Sequence, residues 1–183
     1  MSDTPPGAGK LSETLPFRSL NIAVLTVSDT RDEKSDTSGK LLAERVARDH
    51  HVLAARARVK DSVEEIQVQL QKWIADPGID VVISTGGTGL TGRDVTPEAV
   101  RPLFDKVIEG FETVWHMTSF QSVGLSTIQS RACAGIAGST MIFALPGSGG
   151  ACKDGWDKVI RWQLDSRFRP CNLVELMPRF LER

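Results

Sequence analysis

The stretch "VVISTGGTGLTGRDVTPEAV", residues 81–100, combines three features that together indicate the fold class. It begins with a short apolar run typical of a buried strand and continues through a loop rich in Gly and Thr. It ends in a helix predicted to start near Pro97, with Thr96 as its N-cap. A loop of this length inside a compact domain usually has a function, so we asked what it binds.

Apolar strands and amphipathic helices alternate on both sides of this loop. Alternation of this kind predicts an α/β fold with a parallel sheet covered by helices on both faces. The predicted strands are residues 20–29, 51 to about 60, 79–84 and 141–145. The predicted helices follow Asp36 or Thr37, follow a capping box at Ser62 and Glu65, start near Pro97, and span about 109–122 and 151–165. In the helix over 109–122, Phe111, Val114, Trp115 and Thr118 are expected on one face.

Length and composition limit the class of protein. The chain has 183 residues, which predicts one folded domain over 20–183 that includes a C-terminal tail; residues 1–19, rich in Pro, Gly, Ser and Thr, are expected to be a flexible arm. The net charge of −1 argues against a nucleic-acid-binding or membrane-surface protein, and no apolar run approaches the roughly 18 residues that a membrane helix needs. The three cysteines lack C-x-x-C spacing, so we expect a reducing cytoplasm and no structural zinc.

Polar or Gly-rich residues follow each predicted strand. In parallel sheets ligands bind beyond the carboxyl ends of the strands, and these ends share one edge. We therefore expect a single site built from four distant segments: Ser28-Asp29-Thr30, Lys60-Asp61, Thr85 to Asp94, and Pro146 to Gly150.

The Gly-rich loop nearly matches two nucleotide-binding motifs. Gly87 to Gly92 has the spacing G-x-G-x-x-G, but a helix opening inside these glycines would contain Pro97, at a cost of about 3 kcal/mol. The P-loop spacing is also present, but Arg93-Asp94 replaces its Lys-Ser/Thr pair. What both motifs share is a set of backbone amides that approach an anion, here supplemented by threonine hydroxyls. The predicted anion-binding residues of this loop are Thr85, Gly86, Gly87, Thr88, Gly89 and Thr91.

Asp61 and Asp94 are the candidate chemical groups, and each has a structural alternative. Carboxylates at a phosphate site normally act through Mg²⁺, because a bare carboxylate repels the anion. Asp94 alternatively forms a turn, and Asp61 alternatively only precedes the Ser62 cap. Similar alternatives stay open for three more residues: Asp29 binds a ligand or ends its strand, Arg131 pairs with a phosphate or with one of these carboxylates, and Ser148 contacts a ligand or shapes a turn.

Five motifs resemble the MoaB/Mog molybdenum-cofactor biosynthesis family. They are VSD with DTSG (27–29, 36–39), TGGTG (85–89), RDVTPEA (93–99), SRACAG (130–135) and LPGS (145–148). The resemblance spans about residues 21–172. It implies a three-layer α/β/α molybdopterin-binding fold and a homo-oligomer, either a trimer or a hexamer. It also implies that Asp61 and Asp94 are the essential carboxylates, and that Ser130, Arg131, Pro146, Gly147 and Ser148 belong to the binding site.

The resemblance further implies a reaction, in which molybdopterin and Mg-ATP give adenylyl-molybdopterin and pyrophosphate. Such a transfer brings two anions together, so it needs positioning and charge neutralisation more than a side-chain nucleophile. Backbone amides, Mg²⁺ held by Asp61 and Asp94, and a cation such as Arg93 or Arg131 would supply these. The second hypothesis is a protein of the same family that binds molybdopterin or assists assembly without turnover.

Overall fold

A central six-stranded sheet organises the chain. The computed structural model describes residue 5 and residues 7–30 and 34–182. The strands are β1 (Lys10–Leu11), β2 (Asn21–Val27), β3 (Val52–Val59), β4 (Val81–Thr85), β5 (Lys106–Val107), β6 (Cys133–Ala137), β7 (Thr140–Leu145) and β8 (Phe168–Arg169). The α-helices are α1 (Thr37–Arg48), α2 (Val63–Ile74), α3 (Thr96–Val100), α4 (Glu109–Val123), α5 (Gly149–Gly155) and α6 (Arg161–Gln163), with a π-helical turn, Trp156–Ile160, joining α5 to α6.

The sheet is mostly parallel, as predicted. Its strand order is β3-β2-β4-β7-β6-β5, and β3, β2, β4 and β7 run parallel to one another. The antiparallel strands β6 and β5 at one end were not predicted. Strand β6 consists mostly of small residues and is buried except at Ile136, so it lacks the alternation that marks a half-exposed strand.

Two apolar cores lie on opposite faces of the sheet and give the predicted three layers. Residues that alternate along β2 supply both cores, because successive side chains of a strand point to opposite faces. On one face Ile22 and Val24 pack in a core with residues of α1, α4 and α5 and the π-helical turn. On the other face Ala23 and Leu25 pack in a core with residues of α2 and α3.

Helix caps agree with the sequence in two cases and differ in a third. The Asp36 carboxylate accepts from the Gly39 amide, and the Ser62 hydroxyl accepts from the Glu65 amide, as predicted. The return bond of the capping box is different, since Glu65 accepts from the Lys60 amide rather than from Ser62. The prediction of Thr96 as an N-cap is wrong: Val95 occupies that position without a side-chain cap.

Helix α4 buries only part of the face that carries Phe111, Val114, Trp115 and Thr118. Phe111 and Trp115 are buried in the core, whereas Val114 is 46% exposed. At the amino terminus, β1 pairs antiparallel with β8 and the Arg18 amide donates to the Ser166 hydroxyl. The flexibility predicted for residues 1–19 stays a prediction, and much of residues 1–6 lies outside the described ranges.

Candidate functional site

A cleft of about 590 Å³ opens at the carboxyl ends of the parallel strands. The segments that follow β2, β3, β4 and β7 meet there, as the sequence predicted, and α4 closes one side. Of the predicted site residues, the cleft is lined by Ser28, Asp61, Gly86, Gly87, Thr88, Gly89, Asp94, Ser130, Pro146, Gly147 and Ser148. Asp61 and Asp94 therefore lie in one cleft together with the Gly-rich loop.

The first two glycines of the loop occupy positions that a side chain would strain. Gly86 has φ +108°, and a Cβ there would lie 2.1 Å from the carbonyl oxygen of Val27. Gly87 has φ +63°, and its Cβ would lie 2.5 Å from Thr96 Oγ1 and 3.0 Å from Asp61 Oδ1. Only glycine lets the chain turn here and still contact both neighbours.

Four successive carbonyls of the loop accept hydrogen bonds from two residues outside the cleft lining. The hydroxyl and the amide of Thr96 donate to the carbonyls of Gly86 and Gly87, at 2.8 and 2.9 Å. The amide and Nε of Arg131 donate to the carbonyls of Thr88 and Gly89, at 2.8 and 2.7 Å. Neither Thr96 nor Arg131 lines the cleft.

This arrangement directs the loop amides toward the cleft. The C=O and N–H of a trans peptide unit point in opposite directions. Because the carbonyls of residues 86–89 bind Thr96 and Arg131, which lie outside the lining, we infer that the amides of residues 87–90 point away from these two residues, toward the cleft. The Gly89 amide binds the Asp94 carboxylate there, and the side chain of Thr88 adds a hydroxyl to the cleft wall. A run of forward-facing amides is a cradle for an anion.

Asp94 is held by its own turn. Its Oδ2 accepts from the amide of Thr91 at 2.8 Å and from the hydroxyl of Thr91 at 2.6 Å. Partial burial raises the pKa of Asp94, but the hydrogen bonds from Thr91 and Gly89 outweigh this and the pKa lies below its ordinary value. The turn-forming alternative for Asp94 is thus realised, although the residue also lines the cleft.

Asp61 is oriented by Asp29. The Asp29 amide donates to Asp61 Oδ2 at 2.9 Å, and the Asp61 amide donates to Asp29 Oδ1 at 3.2 Å. The pKa of Asp61 is raised, mainly because burial disfavours the charged form, and the charges of Asp29 and Asp94 act in the same direction. Asp61 therefore gains from any cation that enters the cleft.

The other predicted residues have structural contacts of their own. Thr85 is buried and its hydroxyl contacts Pro146 O at 3.1 Å, which ties the ends of β4 and β7 together. Ser130 accepts from Trp115 Nε1, and Ser148 accepts from the Ala151 amide as the N-cap of α5. Arg93 is exposed outside the cleft lining, and its charge lowers the pKa of Asp61 slightly against the larger effect of burial.

Sequence reasoning missed the wall that α4 and the next turn contribute. Ser119, Ser122 and Ser126 line the cleft, and Asp154 of α5 joins them. Ser119 and Ser122 are three residues apart on α4, which places them on one helical face and was a usable signal, whereas Ser126 lies beyond the end of α4. Three carboxylates thus line the cleft, while none of its described lining residues is Lys or Arg.

Mg²⁺ suits this donor set. Among the described residues, no group of three or more His, Cys, Asp or Glu side chains forms a complete metal site. Mg²⁺, however, is commonly bound by one or two carboxylates together with substrate phosphates. Asp61 and Asp94 match that requirement.

Within the described ranges, no helix is long and apolar enough to span a membrane.

Known proteins are similar to this chain in both sequence and fold. A family model described as a probable molybdopterin binding domain matches residues 23–166. Molybdenum cofactor biosynthesis protein B of Escherichia coli (strain K12) is 48% identical over 161 residues, which cover 88% of this chain and 93% of that protein. A crystal structure of molybdenum cofactor biosynthesis protein B has a TM-score of 0.78 and 39% identity, covering 80% of this chain and 92% of that one. Tungsten cofactor synthesizing protein MoaB from Pyrococcus furiosus has a TM-score of 0.69 and 36% identity, covering 76% and 89%.

Proposed function

The chain belongs to the MoaB/Mog family of molybdenum cofactor biosynthesis proteins, as its motifs predicted, and we propose that its cleft joins molybdopterin to the adenylyl group of ATP. A phosphate oxygen of molybdopterin attacks the α-phosphorus of ATP. The bond from that phosphorus to the bridging oxygen breaks, and pyrophosphate leaves with the bonding electrons. The products are adenylyl-molybdopterin and pyrophosphate.

The observation that carries this proposal is the inferred direction of the loop amides, which lie beside Asp61 and Asp94. The amides of Gly87, Thr88 and Leu90 suit phosphate oxygens, including oxygens whose charge changes during transfer. The carboxylates around the cleft would repel two anionic substrates on their own. Mg²⁺ held by Asp61 and Asp94 would neutralise that charge. This chain's own part is to bind and align both phosphates, which is the larger share of catalysis in phosphoryl-type transfer.

One observation favours the second candidate, a molybdopterin-binding protein without turnover. Two donors of Thr91 already bind Asp94 Oδ2, so this carboxylate has a structural task that does not require a metal. Loop amides that cradle a phosphate serve binding equally well.

The deciding experiment incubates the purified protein with molybdopterin, Mg²⁺ and ATP labelled in the α-phosphate. Formation of labelled adenylyl-molybdopterin, lost in Asp94→Ala, supports the transferase. Asp76→Ala is the matched control. The Asp76 carboxylate also accepts a hydrogen bond within its own turn, from the amide of Gly78, but Asp76 does not line the cleft. Tight pterin binding without labelled product would select the second candidate.

We also propose that the chain self-associates. The exposed face of α4 and the following turn is apolar, and apolar area of this kind marks contact surfaces. Its exposed members are Val114, Met117, Phe120, Val123, Leu125 and Ile128. Light scattering should give a trimer or a hexamer, and a monomer at micromolar concentration would reject self-association.

A further inference from the structure

We propose that Arg131 is a positioning residue that sets the direction of the loop amides, rather than a ligand of the substrate phosphate. The proposal deepens the function proposed above, and any role of Arg131 in catalysis rests on that function. Its evidence is geometric. The Arg131 guanidinium does not line the cleft, and it binds three partners, which are two loop carbonyls and a carboxylate of α3.

Each arm of the guanidinium has a separate partner. Nε donates to the Gly89 carbonyl at 2.7 Å, Nη2 donates to the Asp94 carbonyl at 2.6 Å, and Nη1 pairs with the carboxylate of Glu98. The first two carbonyls lie at either end of the turn that carries Asp94. Arg131 therefore fixes both the amide cradle and the acid beside it.

Glu98 holds the guanidinium in this position. Glu98 lies on α3, directly after the loop, and its pairing with Arg131 lowers the pKa of the Glu98 carboxyl. A carboxylate next to the start of α3 would repel a phosphate approaching there. Its pairing with Arg131 also offsets the charge that the arginine would otherwise present to a phosphate, which suits a positioning role.

The shape of arginine is what this role requires. A planar fork with donors in fixed directions can bind two carbonyls and a carboxylate at once, whereas the ammonium of lysine is a compact charge on a flexible stem. Lysine nevertheless binds phosphate well as a point charge. The two roles therefore make opposite predictions for Arg131→Lys.

The test compares Arg131→Lys with Arg131→Gln in the full-length protein. If Arg131 positions the loop, both variants weaken pyrophosphate binding to a similar extent, on the order of tenfold to a hundredfold, because each loses charge-assisted hydrogen bonds to the loop. Hydrogen exchange in a peptide covering residues 86–96 should accelerate in both. Where turnover is present, kcat should fall similarly in both.

Arg101→Lys is the matched control. Arg101 forms an ion pair with Glu112 at 3.0 Å on the same side of α3 and contacts no loop carbonyl in the described structure. This variant should bind pyrophosphate and exchange like the unaltered protein. Exchange in β2 and β4 serves as the internal reference for global unfolding.

Near-normal pyrophosphate binding and loop exchange in Arg131→Lys, with loss in Arg131→Gln, would overturn the proposal and make Arg131 a phosphate ligand. Unchanged loop exchange in both variants would also overturn it. Exchange and pyrophosphate binding need no turnover, so they decide the role of Arg131 even if no adenylyl-molybdopterin forms.

Discussion

Replacing Thr96 by Val tests whether the loop carbonyls control anion binding. Thr96 is fully buried, and its hydroxyl donates to the Gly86 carbonyl at 2.8 Å. Valine keeps the shape and removes the donor. A buried carbonyl left without its partner costs about 1–3 kcal/mol. In a chain of this size each 1 kcal/mol lowers the melting temperature by about 2–4 °C, so we expect a fall of roughly 2–12 °C.

The same substitution should weaken ligand binding beyond its effect on stability. Gly86 has the backbone freedom of a glycine, so its carbonyl can rotate toward the cleft once the Thr96 hydroxyl is gone. An acceptor turned toward a bound phosphate repels it. We expect pyrophosphate affinity, measured by titration calorimetry, to fall by about tenfold, which corresponds to the loss of roughly one hydrogen bond.

Thr140→Val provides the comparison. Thr140 is equally buried and its hydroxyl also donates to a backbone carbonyl, that of Ile79 at 3.3 Å, at the opposite end of the strands. This variant should lose stability but keep its pyrophosphate affinity. If Thr96→Val binds pyrophosphate as well as Thr140→Val does, the loop carbonyls do not control the site and the reasoning fails.

Three further predictions concern the acids and Thr88. Asp61→Asn should raise the melting temperature at neutral pH. Burial raises the pKa of the Asp61 carboxyl, so its contribution to stability is complete only below the ordinary pKa of 3.8 and is lost as pH rises through the raised pKa. An unchanged melting curve would contradict this. Asp94→Asn should lower the melting temperature at neutral pH, since burial raises its pKa less than the Thr91 and Gly89 hydrogen bonds lower it. Its stabilisation therefore exists above 3.8, and the difference between the variant and the unaltered protein should vanish as pH falls through the folded pKa. Thr88→Val should weaken pyrophosphate binding several-fold by calorimetry, consistent with about 1 kcal/mol for one hydrogen bond; an equal affinity would give the hydroxyl a purely structural role.

The sequence predicted the sheet well because its central strands are buried on both faces. β2 and β4 are continuous apolar runs, and each is followed by polar residues at the edge where the site forms. The shared direction of parallel strands was enough to predict that Asp61 and Asp94 lie at that edge, although no contact between them is visible in the sequence. β5 could not be predicted, because two residues carry no periodicity.

The contacts that set the direction of the loop were not predictable in the same way. Thr96 before Pro97 matches a normal capping pattern. In the structure, however, its hydroxyl and amide donate to the carbonyls of Gly86 and Gly87 in the loop. Arg131 lies 42 residues from Gly89 along the chain, and no local pattern joins them. Both residues lie within motifs that the sequence singled out, but the sequence assigned Thr96 only to a helix cap, and only the structure shows that both residues bind the loop carbonyls.

The two acids of the cleft are prepared for different tasks by their surroundings. Asp94 receives hydrogen bonds from Thr91 and Gly89, so it stays charged and keeps its turn closed with or without a ligand. Asp61 is destabilised as an anion by burial and by neighbouring carboxylates, so its charged form gains most when a cation arrives. Titratable groups whose surroundings shift their pKa values apart are candidates for different roles within one functional site. We therefore propose that Asp61 would be the principal ligand if the cleft binds Mg²⁺, and that Asp94 would join it with a carboxylate whose position the turn fixes.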